Sequence, residues 1–558
     1  MEQRCLRKRF AQSNGEEEQR TSLVSIRDRS AYEARSPNAP FLSWEVLQIV
    51  LLHFISGIVF GYAIGFVGPY SKFFEISHNC SAVLVEDSCP FYISGKCVWK
   101  EGRCNFVDET CMNRSKKLCE NNSHVPDDEH AKCRWNDSAS ICEQVVGFTS
   151  VQNGIFAGAL TVGCCLGSLV ASSLISIVGH RKTFLFCGVT ALLASLLTHK
   201  SVYDEQFFVL IVGRILTGIS TGILCVCSPT YVEDMAPLQH RQSVGVFFQV
   251  AITFGIVFAS AMALGLNARQ LSTQENMRMR CQLLCLPGTI ASLAVVVAGY
   301  FMRESRAWLD EQLNRRVAEP TCSPFQKSLY SNESRMNDII TEQGAETSSS
   351  AVNYGSSAGL LLTAFIICLA QQLTGINAIM SYAPSITSRM GLAPLSGNFL
   401  VMLWNFITVL FSIPLSSKLR AEHAYINAVL LASISCYIVG VSVYPPAGMP
   451  GGFKYALSAT GIAMFIAFFE LGMGSFFWSL SQGIFPPNLR AFGSSFTVLT
   501  QFIINIIINV GFPIIVEWLS GGPSGNVDVG MGITFIVFGT VGLLSWVYLR
   551  KNLYMWHA

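Results

Sequence analysis

The sequence predicts an all-α polytopic membrane protein of twelve transmembrane helices, on three observations. Of its 558 residues, 51% are hydrophobic and only 13% charged. Apolar stretches of about 20 residues, the length that crosses a ~30 Å hydrocarbon core, recur along most of the chain. One long polar segment, 303–357, divides them six and six. The stretches fall at roughly 46–70, 149–178, 183–201, 206–228, 243–266, 281–302, 358–384, 397–416, 424–444, 453–484, 493–518 and 529–549. In lipid they must be helices, because no water is present to satisfy an open backbone.

Residues 1–45 are polar and mixed in charge, so they read as a cytoplasmic tail without a cleavable signal; the first apolar run is long enough to span and stays in the mature chain. If the helices alternate, His180-Arg181-Lys182, His240-Arg241, Arg303, Arg306, Lys418, Arg420, Arg490 and Arg550-Lys551 share one side. The positive-inside rule makes that side cytoplasmic, which places both termini inside, including the short tail 550–558. Arg269, Arg278 and Arg280 run against the trend.

The first connection, 71–148, then lies outside. It holds Cys80, Cys89, Cys97, Cys104, Cys111, Cys119, Cys133 and Cys142, eight of the nineteen cysteines, and sequons at Asn79, Asn113, Asn121 and Asn136. These predict a disulfide-stapled, glycosylated external cap of undetermined pairing. Zinc is the competing use of clustered thiols, but the connection has no Cys-x-x-Cys pair and no metal or cofactor is expected. Spans one to six (46–302) are expected to form one bundle, 303–357 a cytoplasmic linker, and spans seven to twelve (358–549) a second bundle.

The seventh span carries the chemistry. Gln371, Gln372, Thr374, Gly375, Asn377 and Tyr382 interrupt an apolar run. Side-chain amides donate and accept without net charge, which suits a ligand made of hydroxyls, such as a sugar. The structural alternative is interhelical hydrogen bonding alone. On a regular helix Gln371 and Asn377 would point about 120° apart, so the helix must unwind near Gly375 for both to face one cavity.

Taken together, Gly213-Arg214 with Gly218, Pro229-Thr230-Tyr231 with Asp234, Ala236, Pro237 and Arg241, then Gln249, and the run Gln371-Gln372-Leu373-Thr374-Gly375-Ile376-Asn377, resemble the sugar-porter branch of the major facilitator superfamily. The cysteine-rich first loop, Asn398-Phe399-Leu400-Val401-Met402 and Ser520-Gly521-Gly522 narrow the resemblance to the hexose transporters of trypanosomes and their kinetoplastid relatives. The resemblance implies two six-helix bundles rocking about a central sugar site. By motif it implies sugar contacts from Gln249, Gln371, Gln372, Asn377, Asn405, Glu470, Trp478 and Asn505. Glu470, an acid within an apolar span, is a functional candidate on physical grounds as well. Asn509, four residues after Asn505, shares its helix face.

The resemblance also implies a cytoplasmic gate of Arg214, Asp234, Arg241, Glu304 and Arg490, opposite charges that bind in one state and part in the other. Several family features are missing. Ser176 stands where an acid precedes Gly179-His180-Arg181-Lys182, Gly483 replaces the second acid of the tenth span, and Met473, Ser475 and Phe477 replace its prolines. These departures question the lock and the tenth-span hinge, and leave the amides intact.

The expected function is facilitative transport of hexoses, glucose and fructose, across the plasma membrane by alternating access. Ala63 stands where proton-coupled relatives carry an aspartate, which favours uniport over proton–hexose or polyol symport. His53, more than a turn earlier on that helix, is the substitute proton carrier to weigh, although a lone histidine is more often a packed hydrogen-bonding residue. A sugar-sensing receptor is the alternative of another class, disfavoured because only a protein that cycles needs a reversible lock. No catalytic pair or metal-ligand spacing suggests an enzyme. The expected partners are a hexose and the lipid bilayer; the +2 net charge and the motifs point to no nucleic acid and no obligate protein partner.

Overall fold

The computed structural model describes residues 43–73, 76–77, 97–100, 103–106, 124–125, 128–136, 141–146, 148, 150–204, 206–268, 274–318, 357–380, 394–444, 451–486, 489–522 and 525–553. Every apolar stretch is helical. The spans are Trp44–Gly65 continued by Val67–Phe73; Ser150–Asp204, which joins the second and third; Phe207–Met235; Leu238–Ala268; and Gln274–Phe301. After the linker come Ser357–Leu373, Pro394–Leu410 with Ser412–Ser416, Ala421–Val443, Gly451–Gly483, Arg490–Leu519 and Val527–Asn552. Most helices outrun the apolar windows by two to several residues, because the backbone keeps its hydrogen bonds beyond the hydrocarbon core.

The second and third spans are continuous except at Gly179, whose φ of 84° reverses the chain. A Cβ there would sit 2.5 Å from Glu304 Oε2, so both backbone and space demand glycine. Small residues also set the closest helix pairs. Gly57, Gly61 and Gly65 of the first span lie against Ala251, Ile252 and Ile256 of the fifth, and Gly163 and Gly167 of the second against Gly218 and its neighbours in the fourth. Without a hydrophobic force between helices in lipid, such stripes allow backbone contact and the dispersion energy that comes with it.

Spans one to six pack among themselves, as do spans seven to twelve. The two halves meet where the eleventh span lies on the joined second and third, and the eighth on the fifth. Odd spans run away from the face carrying Ser43 and Leu553, the first and last described residues, and even spans return to it.

The expectation of an all-α chain holds for the spans and needs correction outside them. The connection after the first span contains β1 (Ile76–Ser77), β2 (Cys97–Lys100), β3 (Arg103–Phe106), β4 (His124–Val125), β5 (Asp128–Asn136) and β6 (Ile141–Val146). They form an antiparallel sheet in the order β1-β6-β5-β4 and a separate β2-β3 hairpin. The register aligns Trp135 with Cys142 and Trp99 with Cys104. Residues outside lipid can pair between strands, and the hydropathy windows do not register such short runs. Cys97, Cys104, Cys133, Cys142 and Asn136 fall on these strands, while Cys80, Cys89, Cys111, Cys119, Asn79, Asn113 and Asn121 lie outside the described residues. So do the N-terminal tail to residue 42, the linker from 319 to 356 and Tyr382.

The linker opens with a helix the sequence reading did not anticipate, Arg306–Ala318. Ser305 caps it, accepting from Trp308 N at 3.4 Å. Trp308 Nε1 and Gln312 Nε2 then donate to Ser176 O, at 3.1 and 3.3 Å. The residue that lacks the family's acid therefore still anchors this helix, through a carbonyl that any side chain would leave in place.

Candidate functional site

The amide cluster is assembled by two irregular helices. The seventh span breaks at Thr374-Gly375, where Gly375 has φ 90°, and a short helical turn resumes at 376–380. Across the break Asn377 Nδ2 donates to Gln372 Oε1 at 3.0 Å, a pair that a regular helix would separate. Asn505 Nδ2 of the eleventh span approaches the same oxygen at 3.4 Å, and Asn509 Nδ2 donates to Asn505 Oδ1 at 2.9 Å. In the tenth span the π-helical turn Phe469–Gly474 carries Glu470. Widening of this kind is frequent at functional sites, and here it overlaps the stretch where the resemblance expects prolines.

Glu470, 2% exposed, receives both ends of its hydrogen bonding from the opposite half of the protein. Gln249 Nε2 lies 3.0 Å from Glu470 Oε2 and 3.3 Å from Oε1. Gln249 Oε1 in turn accepts from Trp478 Nε1 at 3.1 Å. The amide orientation follows from having a carboxylate on one side and an indole N–H on the other. Phe248 meets the Trp478 ring edge-to-face at 4.6 Å, so the indole is buried in packing and does not act as an interfacial anchor.

Gln371 and Asn405 are buried, yet Gln371 Oε1 and Asn405 Oδ1 accept no hydrogen bond from the described residues. Gln501 Oε1 is in the same condition, and the sequence reading missed this residue. The signal was available: Gln501 lies one turn before Asn505 on the same helix face. Cys368 Sγ bonds to Thr497 O at 3.2 Å, and one turn along from that contact the parallel seventh and eleventh spans present Gln371 and Gln501. A buried acceptor without a donor costs about 1–3 kcal/mol. Three of them call for a neutral ligand rich in O–H groups.

The charged set resolves into separate contacts. Arg490 Nη1 reaches Asp234 Oδ1 at 3.0 Å, joining the two halves, and Ser305 Oγ donates to Asp234 Oδ2 at 2.7 Å. Arg241 pairs with Glu233 at 3.3 Å. Glu304 accepts from His180 N at 2.7 Å and from Arg181 N at 3.2 Å, capping the helix that restarts after Gly179. A carboxylate at a helix N-terminus is bound by backbone dipoles, so this contact needs no arginine side chain.

Arg214 does not join them. It lies 20 residues before Asp234 on one helix, Phe207–Met235, hence about 30 Å away at ~1.5 Å per residue. Its Nη1 donates to Ala63 O at 2.9 Å, and the guanidinium stands 5.0 Å from the Phe156 ring. Its Nε and Nη2 have no partner, and it borders a cavity of about 60 Å³ with Tyr62, Thr198 and Ser292. The resemblance had grouped it by charge; the direction of the fourth span decides otherwise. His53 is engaged: its Nδ1 lies 2.7 Å from Ser228 Oγ and its ring stacks on Phe248 at 4.8 Å.

Further polar contacts tie the halves together at the terminus-bearing face. Gln242 Nε2 donates to Ser416 O at 2.8 Å and Leu419 O at 2.6 Å, Ala421 N donates to Gln242 Oε1 at 3.2 Å, and Ser416 Oγ bonds Ser243 Oγ at 3.0 Å. Ser172 N donates to Ser495 Oγ at 3.1 Å. Near the opposite face the corresponding bond, Asn398 Nδ2 to Ser260 Oγ, is 3.5 Å long.

Among solved structures, the chain is similar to the proton:xylose symporter XylE of the major facilitator superfamily bound to 6-bromo-6-deoxy-D-glucose, with a TM-score of 0.63 at 17% identity over 90% of this chain and 95% of that one. Among sequences, it is 35% identical to "Glucose transporter 2A" of Trypanosoma brucei brucei over 95% of this chain and 91% of the relative. It is 31% identical to "Membrane transporter D2" of Leishmania donovani over 91% and 89%. Residues 49–549, from the first span to the last, match the Sugar (and other) transporter family, and the chain belongs to that family.

Proposed function

We propose that this protein moves hexoses, glucose foremost and fructose with it, across the plasma membrane as a uniporter working by alternating access. The observation that carries the reading is the set of unpartnered buried acceptors, Gln371 Oε1, Asn405 Oδ1 and Gln501 Oε1, beside the Gln372–Asn377–Asn505 chain. Such a site rejects anions and suits a neutral polyhydroxylated ring. Its second wall, Gln249–Glu470–Trp478, spans both halves, so a ligand held there is released to either side as they rock. The glucose transporters of trypanosomes, at 33–35% identity, support glucose as substrate.

The gate reading assigns Asp234, Arg241, Glu304 and Arg490 to the cytoplasmic lock, with both termini inside. Glu233 and Gln242 join them. Arg214 supports uniport in another way. Its guanidinium meets the Ala63 carbonyl, and among the described residues no carboxylate pairs with it, so that pocket offers no carboxylate to take up a proton. The second reading, proton symport, is favoured by Glu470, an acid in mid-span.

Counterflow in proteoliposomes decides between them. Labelled glucose should equilibrate at equal pH on both sides, and an imposed pH gradient should not concentrate it. Accumulation abolished by a protonophore and by Glu470→Gln would establish symport. Glucose binding without counterflow would make the protein a receptor.

A further inference from the structure

Where the first and sixth spans diverge toward the terminus-bearing face, a groove of about 880 Å³ opens on the lipid-facing surface. Its floor and walls are apolar: Leu52 and Ile55 on one side, Leu293, Val297 and Phe301 on the other. Its mouth is charged. Arg303 and Arg306 line it against a single acid, Glu45, which bonds to Arg303 at 3.1 Å. Trp44, 70% exposed, stands at the same level, where an amphipathic ring favours the headgroup region. A third arginine is close by: Arg181 Nη2 donates to Tyr300 O at 2.8 Å, next to Phe301. Glu304, between the two arginines in sequence, has its oxygens turned to the backbone N–H groups of His180 and Arg181.

We infer that this groove is a binding site for one anionic glycerophospholipid, its phosphate held at Arg303 and Arg306 and an acyl chain laid between the first and sixth spans. The volume falls in the range of specific ligand pockets, about 300–1,000 Å³. An apolar trough entered past arginines matches a molecule that is anionic at one end and hydrocarbon at the other. The proposed orientation puts the mouth in the leaflet that carries anionic lipid. The site would also touch the lock: Tyr231 of the fourth span donates to Arg303 O at 3.0 Å, and Glu304 is the next residue. A bound headgroup therefore braces the segment from which Glu304 caps the third span.

Native mass spectrometry of the full chain in detergent, titrated separately with phosphatidylserine and phosphatidylcholine, tests the site without depending on orientation or substrate. One retained phosphatidylserine per chain is expected, preferred by roughly 5-fold for each arginine engaged. Arg303→Gln with Arg306→Gln should bring the two lipids to parity. Ala294→Trp, which fills the groove without changing charge, should remove both. Equal retention of the two lipids by the unaltered chain, or a preference untouched by either variant, would overturn the proposal. Because the variants could misfold, a phosphatidylserine with a photoreactive acyl chain is to be applied to the unaltered chain as well. Label confined to peptides within 44–55 and 290–306 is the expected result, and label spread evenly over all spans would refute it.

Discussion

Gln249 is the residue on which the second wall of the proposed site depends, since one amide serves both the Glu470 carboxyl and the Trp478 indole. Gln249→Leu keeps the bulk and removes both bonds, leaving a buried carboxyl and an indole N–H without their partner at a cost of about 1.5–3 kcal/mol. Transport efficiency should fall roughly 10- to 150-fold, and Gln249→Glu should not restore it, because it places a second acid against Glu470. Gln372→Ala removes the acceptor shared by Asn377 and Asn505. A loss of about 5- to 150-fold in glucose uptake is expected at equal surface expression. Unaltered uptake in either variant would remove that residue from the site. The pairings themselves were not legible in the sequence. Gln249 and Glu470 are 221 positions apart, and a motif names residues without saying which will meet.

At the scale of the element, the candidate site is built at the two places where helices fail to be regular. Gly375 holds a left-handed φ of 90°, and a Cβ there would press into the Phe538 ring. Gly375→Val should therefore lower thermal stability and transport together, whereas Gly154→Val, with open space around it, should leave both near the parent values. The π-helical turn makes a finer test. A Cβ on Gly474 would lie 2.9 Å from Glu470 Oε2 and 3.1 Å from Gln249 Nε2. Gly474→Ala should accordingly shift KM for glucose while the melting temperature stays within a few degrees; a fall in stability with unchanged KM would show that the turn is only a packing device. The break at Gly375 was foreseen from the need to bring its amides to one face. The π turn was not, because its hydrogen-bond shift leaves no mark in a sequence that lacks the family's prolines.

Across the whole molecule, bonds at the terminus-bearing face join the two halves, and in the proposed alternating-access cycle they would hold one of its states. The Arg490–Asp234 pair crosses between the halves, with 15% and 11% side-chain exposure, so it is neither a surface pair of little worth nor fully desolvated. Asp234→Asn or Arg490→Gln should shift the population toward the state open at that face, by roughly 5- to 30-fold if the pair contributes about 1–2 kcal/mol. Spin-label distances between the halves would report the shift. The exchanged pair Asp234→Arg with Arg490→Asp should recover part of it, and equal distance distributions in all variants would exclude the pair as a lock. Both variants should also slow net uptake, since transport needs each state to be revisited.

What the sequence by itself determined follows from the solvent it is written for. A bilayer forces every long apolar run into a helix, so the spans, their order and the polar breaks could be read from composition, and the amides stood out because lipid tolerates so few. Sidedness of Arg214 was in principle legible too, from the direction in which the fourth span runs. The tertiary structure alone decided which buried groups meet. It brought Gln249 to Glu470, set Glu304 on the backbone of a restarted helix instead of on an arginine, and left the amide oxygens of Gln371, Asn405, Gln482 and Gln501 without donors among the described residues. Those outcomes depend on how glycine stripes let helices approach and on where two helices lose their regular turn, and both are settled by packing across hundreds of residues, beyond the reach of any local window.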